Sequence, residues 1–294
     1  MASKWLKFAG IMAGVGAIIV IICLAIGGTK VFRGVFNKRI DIFPGMLHCN
    51  MGISDLVDDD FKIYYGDMEE TINEDEFDDI TFNVAAATVE VKEADRSDYL
   101  VKAEGVNKAQ AFVDDNTLYI IAEGYEINVG DSGEVYVEVP KGAKIGNVNV
   151  EVGAGTVNFD YLDADTVDVE VGAGEVIFDK LNAKTVDVEI GAGRGAIKEG
   201  RIKHMDANVG LGSFEYEGSV TGDMKAQCGM GNIDMILDGS EEDHNYEMEC
   251  AMGNLSVGSM SSAGIAAERE VDNGAVSDFT LECGMGNMSI RFKD

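Results

Sequence analysis

Apolar and polar residues alternate along the second half of the chain, as in Val148-Asn149-Val150-Glu151-Val152 and again in Val157-Asn158-Phe159. Alternation with period two predicts β-strands that bury one face and wet the other. Between such runs a Gly-x-Gly recurs at Gly153/Gly155, Gly172/Gly174, Gly191/Gly193, Gly210/Gly212 and Gly229/Gly231, always at the same 19-residue step. Looser copies follow at Met252-Gly253 and Gly284-Met285-Gly286, after longer spacings, which predicts insertions bulging from the last coils. Glycine at each bend is expected to supply φ values that other residues resist.

Whole columns repeat at this period. Val148, Val167, Val186, Met205 and Met224 share one; Val150, Val169, Val188, Ala207 and Ala226 the next; Val152, Val171, Ile190, Val209 and Cys228 a third. Beyond the glycines, Phe159, Phe178, Ile197, Tyr216 and Met235 make a fourth. A side chain that returns to one face once per period means equivalent strands stack, each coil burying what the last one left open. The predicted fold is all-β: a single-chain parallel β-solenoid of 19-residue coils. A dinucleotide loop is excluded, because that motif needs a third glycine and a following helix.

Composition agrees with this reading. Thirty-six glycines against two prolines suit a repetitive sheet, in whose interior proline cannot donate. The net charge of -30 is uneven: residues 1–40 carry six basic residues and no acid, leaving 17 basic and 53 acidic residues beyond them. Such a surface repels nucleic acid and attracts cations or basic partners.

Phe8 to Thr29 is uncharged throughout, and about 20 residues suffice to cross a bilayer as a helix. Residues 1–40 are therefore expected to be a membrane anchor with basic flanks, a transmembrane helix that precedes the solenoid and contacts lipid through residues 8–29. A cleaved signal peptide fits less well, since the apolar run is too long and no A-x-A follows it. The basic residues on the two sides nearly balance, with a slight excess after Thr29 that favours a cytoplasmic solenoid. Residues 41–79 hold thirteen carboxylates and one lysine, which predicts a solvated acidic connector or short helix before a solenoid at 80–294.

The chain resembles the bacterial β-strand-repeat proteins classed with adhesins, a toast-rack-like domain of unknown function. The likeness rests on Ile80-Thr81-Phe82-Asn83-Val84, Thr88-Val89-Glu90-Val91, Thr117-Leu118-Tyr119-Ile120, the strand Val135-Tyr136-Val137-Glu138-Val139 ending in Pro140, and the V-x-V-E-V-G-A-G-x-V-x-F coils. The resemblance implies a right-handed solenoid, often tethered to the membrane and exported, with no established enzymatic activity and no catalytic residues to carry over.

Chemistry-bearing residues are few. Glu151, Glu170 and Glu189 share one outward column and Asp168, Asp187 and Asp206 the neighbouring one, a weak candidate patch for an oxygen-liganded cation such as Ca²⁺; the plainer reading is a solvated face. Cys228, Cys250 and Cys283 hold equivalent places in the late copies, where a disulfide or soft metal competes with their being small buried hydrophobes. His48, His204 and His244 are scattered. Acids that repeat identically along a face lack the distinct environments that an acid and a base require, so no enzyme and no catalytic residue is expected. The resulting expectation is a non-enzymatic cell-surface scaffold for adhesion or interaction with a protein or glycan. A carbohydrate-active β-helix enzyme and a self-assembling envelope scaffold are the alternatives.

Overall fold

A computed structural model describes residues 61–73, 76–124, 133–263 and 267–293. The expected membrane span at 8–29, its basic flanks and residues 41–60 of the connector lie outside the described residues. Among the described residues no helix is long and apolar enough to cross a membrane.

The chain opens with β1 (Tyr64–Asn73), β2 (Asp79–Ala85), β3 (Thr88–Ala94), the long β4 (Asp98–Asp114), β5 (Thr117–Glu123) and β6 (Glu134–Pro140). The regular coils follow as β7 (Ile145–Val152), β8 (Thr156–Phe159), β9 (Leu162–Val171), β10 (Glu175–Phe178), β11 (Leu181–Ile190), β12 (Arg194–Val209), β13 (Ser213–Val220), β14 (Met224–Cys228) and β15 (Asn232–Asp238). The chain ends with β16 (His244–Cys250), β17 (Asn254–Val257), β18 (Met260–Ala263), β19 (Ala267–Val271), β20 (Ser277–Cys283) and β21 (Asn287–Lys293). All belong to one continuous sheet.

From β7 to β12 the 19-residue period becomes a parallel ladder without slips: Val167 faces Val148 and Val186, and Phe178 faces Phe159 and Ile197. The four predicted columns are all buried. Phe159 lies edge-on to Phe82 at 5.2 Å and stacks on Phe178 at 4.6 Å, so the core runs unbroken from coil to coil. Each such side chain, fully buried, contributes about 1.5–3 kcal/mol, and no coil has a core without its neighbours.

The repeated glycines serve a purpose other than the one expected. None of the Gly-x-Gly residues has positive φ; those glycines lie elsewhere, as at Gly142 and Gly218. Instead a Cβ on Gly174 would stand 2.4 Å from the Gly155 carbonyl oxygen, and one on Gly193 2.3 Å from that of Gly174. Close approach between turns, not backbone conformation, demands glycine there.

The ends depart from sequence order. β2 and β3 pair with β7 and β8 on one side and with β5 and β6 on the other, so the first coil is the second rung. At the far end β20 and β21 slot between β14/β15 and β16/β17, making the last coil in the chain the penultimate rung. Antiparallel strands close both ends: β4 spans β5 and β6 with β1 outside it, and β19 and β18 pair with β16 and β17. The longer of the two predicted insertions is thus this closing pair, and the shorter holds a 3-10 turn at Glu241–Asp243.

One boundary moves. Tyr64–Asn73 of the expected connector is a strand in the sheet, burying Met68 and Ile72 while its acids face water. Its charge block concealed an alternation that a partner strand uses. The sheet therefore begins at Tyr64 rather than at Ile80.

Candidate functional site: the carboxylate ladders and an adjoining groove

The outward residues of β7, β9, β11 and β12 form the two acidic ladders that the period predicts. Asp168 stands opposite Asp187, and Asp187 opposite Asp206; Glu170 stands between Glu151 and Glu189 in the same manner. Uncharged or basic residues end both runs: Asn149 and Lys225 flank the aspartates, and Asn208 follows Glu189. Opposed residues sit about 4.7–4.9 Å apart, where like charges destabilise a sheet.

Asp187, in the middle, responds most. Loss of hydration, followed by the charges of Asp206 and Asp168, pushes its carboxyl up to about 6, with Lys225 opposing. Its side chain reaches the surface, yet neighbouring rungs crowd the carboxylate from both sides. Desolvation raises Asp168 and Asp206 as well. Among the described residues no three His, Cys, Asp or Glu side chains converge so as to hold a metal ion between them, so these six acids form lines, not a Ca²⁺ cage.

A feature that the period did not show lies on the other face. Ile197 faces Tyr216 and Gly200 faces Gly218, so β12 carries Lys198 and Glu199 where β13 has Glu217 alone. This β-bulge re-aims the strand. Beside it a groove of about 350 Å³ is lined by Arg194, Lys198, Glu215, Glu217, Asp234 and Arg291 over a floor that includes Ala196 and Tyr216. Arg194 bridges Glu175 at 2.6 Å and Glu215 at 3.0 Å, and Lys198 meets Asp179 at 2.7 Å. Tyr216 donates to the Ser219 carbonyl at 2.8 Å, and burial raises its phenol. The ring fills the space beside Gly200, where a Cβ would lie 2.4 Å from it. The extra glycines Gly195 and Gly200, which break the column pattern, were the available sequence signal.

The histidines and cysteines are separated by role. His204 is partly exposed and accepts from the Asp223 amide at 3.2 Å. His244 is buried, pairs through Nδ1 with Ser277 Oγ at 2.6 Å, and stacks on Phe279 at 4.0 Å; burial lowers its pKa. His48 lies outside the described residues. Cys228, Cys250 and Cys283 are buried free thiols, as the core reading expected, but their order in the stack is Cys228, Cys283, Cys250.

A capped parallel stack of short coils with ladder surfaces defines a β-solenoid scaffold. More particularly, the profile of the Toastrack domain family, DUF4097, matches residues 123–279, more than half of the chain, and the chain belongs to that family. The family resemblance read from the residues is thereby borne out. No curated protein matches. Among solved structures, the chain is similar to a candidate adhesin from Bacteroides fragilis at 14% identity and a TM-score of 0.39, over 76% of this chain and 96% of that one. A candidate adhesin from Parabacteroides merdae shares 13% identity, with a TM-score of 0.37 and coverage of 78% and 97%. A protein from Parabacteroides distasonis, described as a candidate lipid-binding protein, shares 14%, with a TM-score of 0.39 and coverage of 76% and 97%. At these scores the relatives' names assign nothing to this chain.

Proposed function

We propose that the protein is a membrane-tethered, non-enzymatic scaffold that holds an acidic, ladder-ruled surface outside the cell for a cationic protein or glycan partner. The observation that supports it is the behaviour of the carboxylates. Asp168, Asp187 and Asp206 are shifted in the same direction by the same cause. General acid and base catalysis instead needs two groups pushed apart in one cleft. A row of like charges at fixed spacing on a rigid sheet is suited to recognition, since an oppositely charged partner relieves the repulsion that the row maintains.

Membrane tethering follows from the uncharged stretch between Phe8 and Thr29, and export follows the family resemblance. Protease treatment of intact cells tests the reading: digestion of the solenoid without lysis is expected. Protection until lysis would put the domain inside and overturn the surface role.

A further inference from the structure

Two columns change chemistry together at one edge of the stack. The core column beneath the turns is hydrocarbon at Val152, Val171, Ile190 and Val209, then becomes Cys228, Cys283 and Cys250 on three adjacent rungs. The turn residue two positions on is Ala154, Ala173, Ala192 and Leu211, then Met230, Met285 and Met252 on those same rungs. The methionine turns are themselves stacked, the Met285 amide donating to the Gly229 carbonyl at 2.7 Å and that of Met252 to Gly284 at 2.8 Å. Six sulfur atoms thus gather at a single edge, brought together by the out-of-order insertion of β20.

The thiols are buried beneath the glycine turns. A Cβ on Gly286 would lie 2.6 Å from Cys228 Sγ, and one on Gly253 2.8 Å from Cys283 Sγ, so a glycine of the neighbouring rung packs directly on each sulfur. The methionines lie toward the solvent side of those turns; Met252 is 43% exposed.

The pairing of a thiol column with a thioether column decides which chemistry fits. Directly opposed residues on neighbouring strands repeat at about 4.7–4.9 Å. That backbone repeat lies inside the Cα separation of about 4.4–6.8 Å that a disulfide allows, so spacing alone admits a disulfide as well as an ion. A disulfide makes no use of the methionines, whereas an ion held by two thiolates also takes thioether sulfur, and the Met230/Met285/Met252 row on the same three rungs favours the ion. Soft thiolate and thioether donors suit Cu(I), zinc and iron–sulfur clusters, and of these the closed-shell monovalent ion accepts two ligands in line, so three converging groups are not needed.

We propose that Cys228 and Cys283 bind one soft monovalent cation of the Cu(I) type between adjacent rungs, with the Met230/Met285/Met252 row as the thioether entry to the site. The hydrogen bond between the two thiols holds Cys283 above its usual range and Cys228 below it. Binding the ion must therefore drive a proton from Cys283 to the solvent, and affinity rises with pH.

The test is anaerobic competition of the reduced full chain against a coloured Cu(I) chelator, read by chelator absorbance and by the thiolate-to-copper band in the ultraviolet. The wild-type chain is expected to withdraw one equivalent. Cys283→Val places in the column the residue already present at Val152 and should keep the fold, checked by circular dichroism. Its affinity is expected to fall by about 100-fold or more, beyond the usual effect of losing a supporting contact. Cys228→Val should fall comparably, and Met285→Leu should weaken uptake to a smaller degree. Failure of the wild type to compete, or a Cys283→Val chain that withdraws copper as the wild type does through Cys23 or Cys49, would overturn the assignment.

Discussion

The regular coils and the two ends of this molecule are built from the same strand pattern but obey different rules of order. Between Ile145 and Asp238 each rung follows its predecessor by one period, and every ladder is local. At the ends, Ile80 faces Val148 and Met224 faces Phe279, partners several periods apart in the chain. A stack of sheet rungs always has two open edges, which invite pairing with other chains. Here the terminal coils are tucked inward, and antiparallel strands cover what remains. The difference teaches that repetition accounts for the middle of a solenoid, whereas its stability as a closed object depends on pairings that repetition does not encode.

Position in the stack and not position in the chain therefore sets the energetic weight of a residue. Phe178 in a central coil and Phe279 in the last coil are both buried against two neighbouring rungs. Substituting either by alanine should cost about 3–5 kcal/mol in chemical denaturation. A markedly smaller loss at Phe279 would break the equivalence. Gly174→Ala, whose new methyl meets the Gly155 carbonyl, should cost about 1–3 kcal/mol by overpacking, although its φ is ordinary.

Acid should separate the two regions, with opposite signs. Asp187 titrates at about 6 in the folded chain against 3.8 when free. The native state therefore holds the extra proton, and that contribution is full below about pH 4 and lost as pH rises through about 6. Asp187→Asn should flatten this slope and raise stability at pH 7 by about 1 kcal/mol or less, since the side chain is exposed. His244 behaves in reverse: its lowered pKa means the folded chain resists protonation, so stability at the β16/β20 end declines as pH falls through the ordinary histidine range near 6.5. Urea midpoints measured from pH 7.5 to 4.5 for the wild type, Asp187→Asn and His244→Leu should resolve both slopes; after allowance for any pH-independent loss, the histidine variant should lack the acid-side decline.

Much of this was legible in the sequence. The four columns, the parallel register and the alignment of Asp168 with Asp187 and Asp206 follow from a fixed period, because a repeat that buries the same positions admits one register. The end order was not legible. Cys228, Cys250 and Cys283 have equivalent neighbours in sequence, and only the closing of an open edge decides that Cys283 lies between the others. The groove escaped for a related reason: β13 is one residue short at Glu217 and regains it between Val220 and Met224, so the period continues across it. In Tyr64–Asn73 alternation is present, but Asp67, Glu69 and Glu70, set among further acids on both sides, give it the charge of a solvated connector. The glycine spacing is visible in the sequence and its cause is not, since rung-to-rung contact has no trace in a single repeat.

The most direct test of the tucked-end arrangement is amide hydrogen exchange, followed by mass spectrometry, on the full chain. Core strands exchange only by global opening, whereas frayed ends exchange by local opening. Although β20 lies at the end of the chain, its amides should be protected to the level of β11 and well beyond those of β18 and β19. Exchange of β20 as fast as β18 and β19, with β16 as slow as β14, would contradict it and restore stacking in order of sequence.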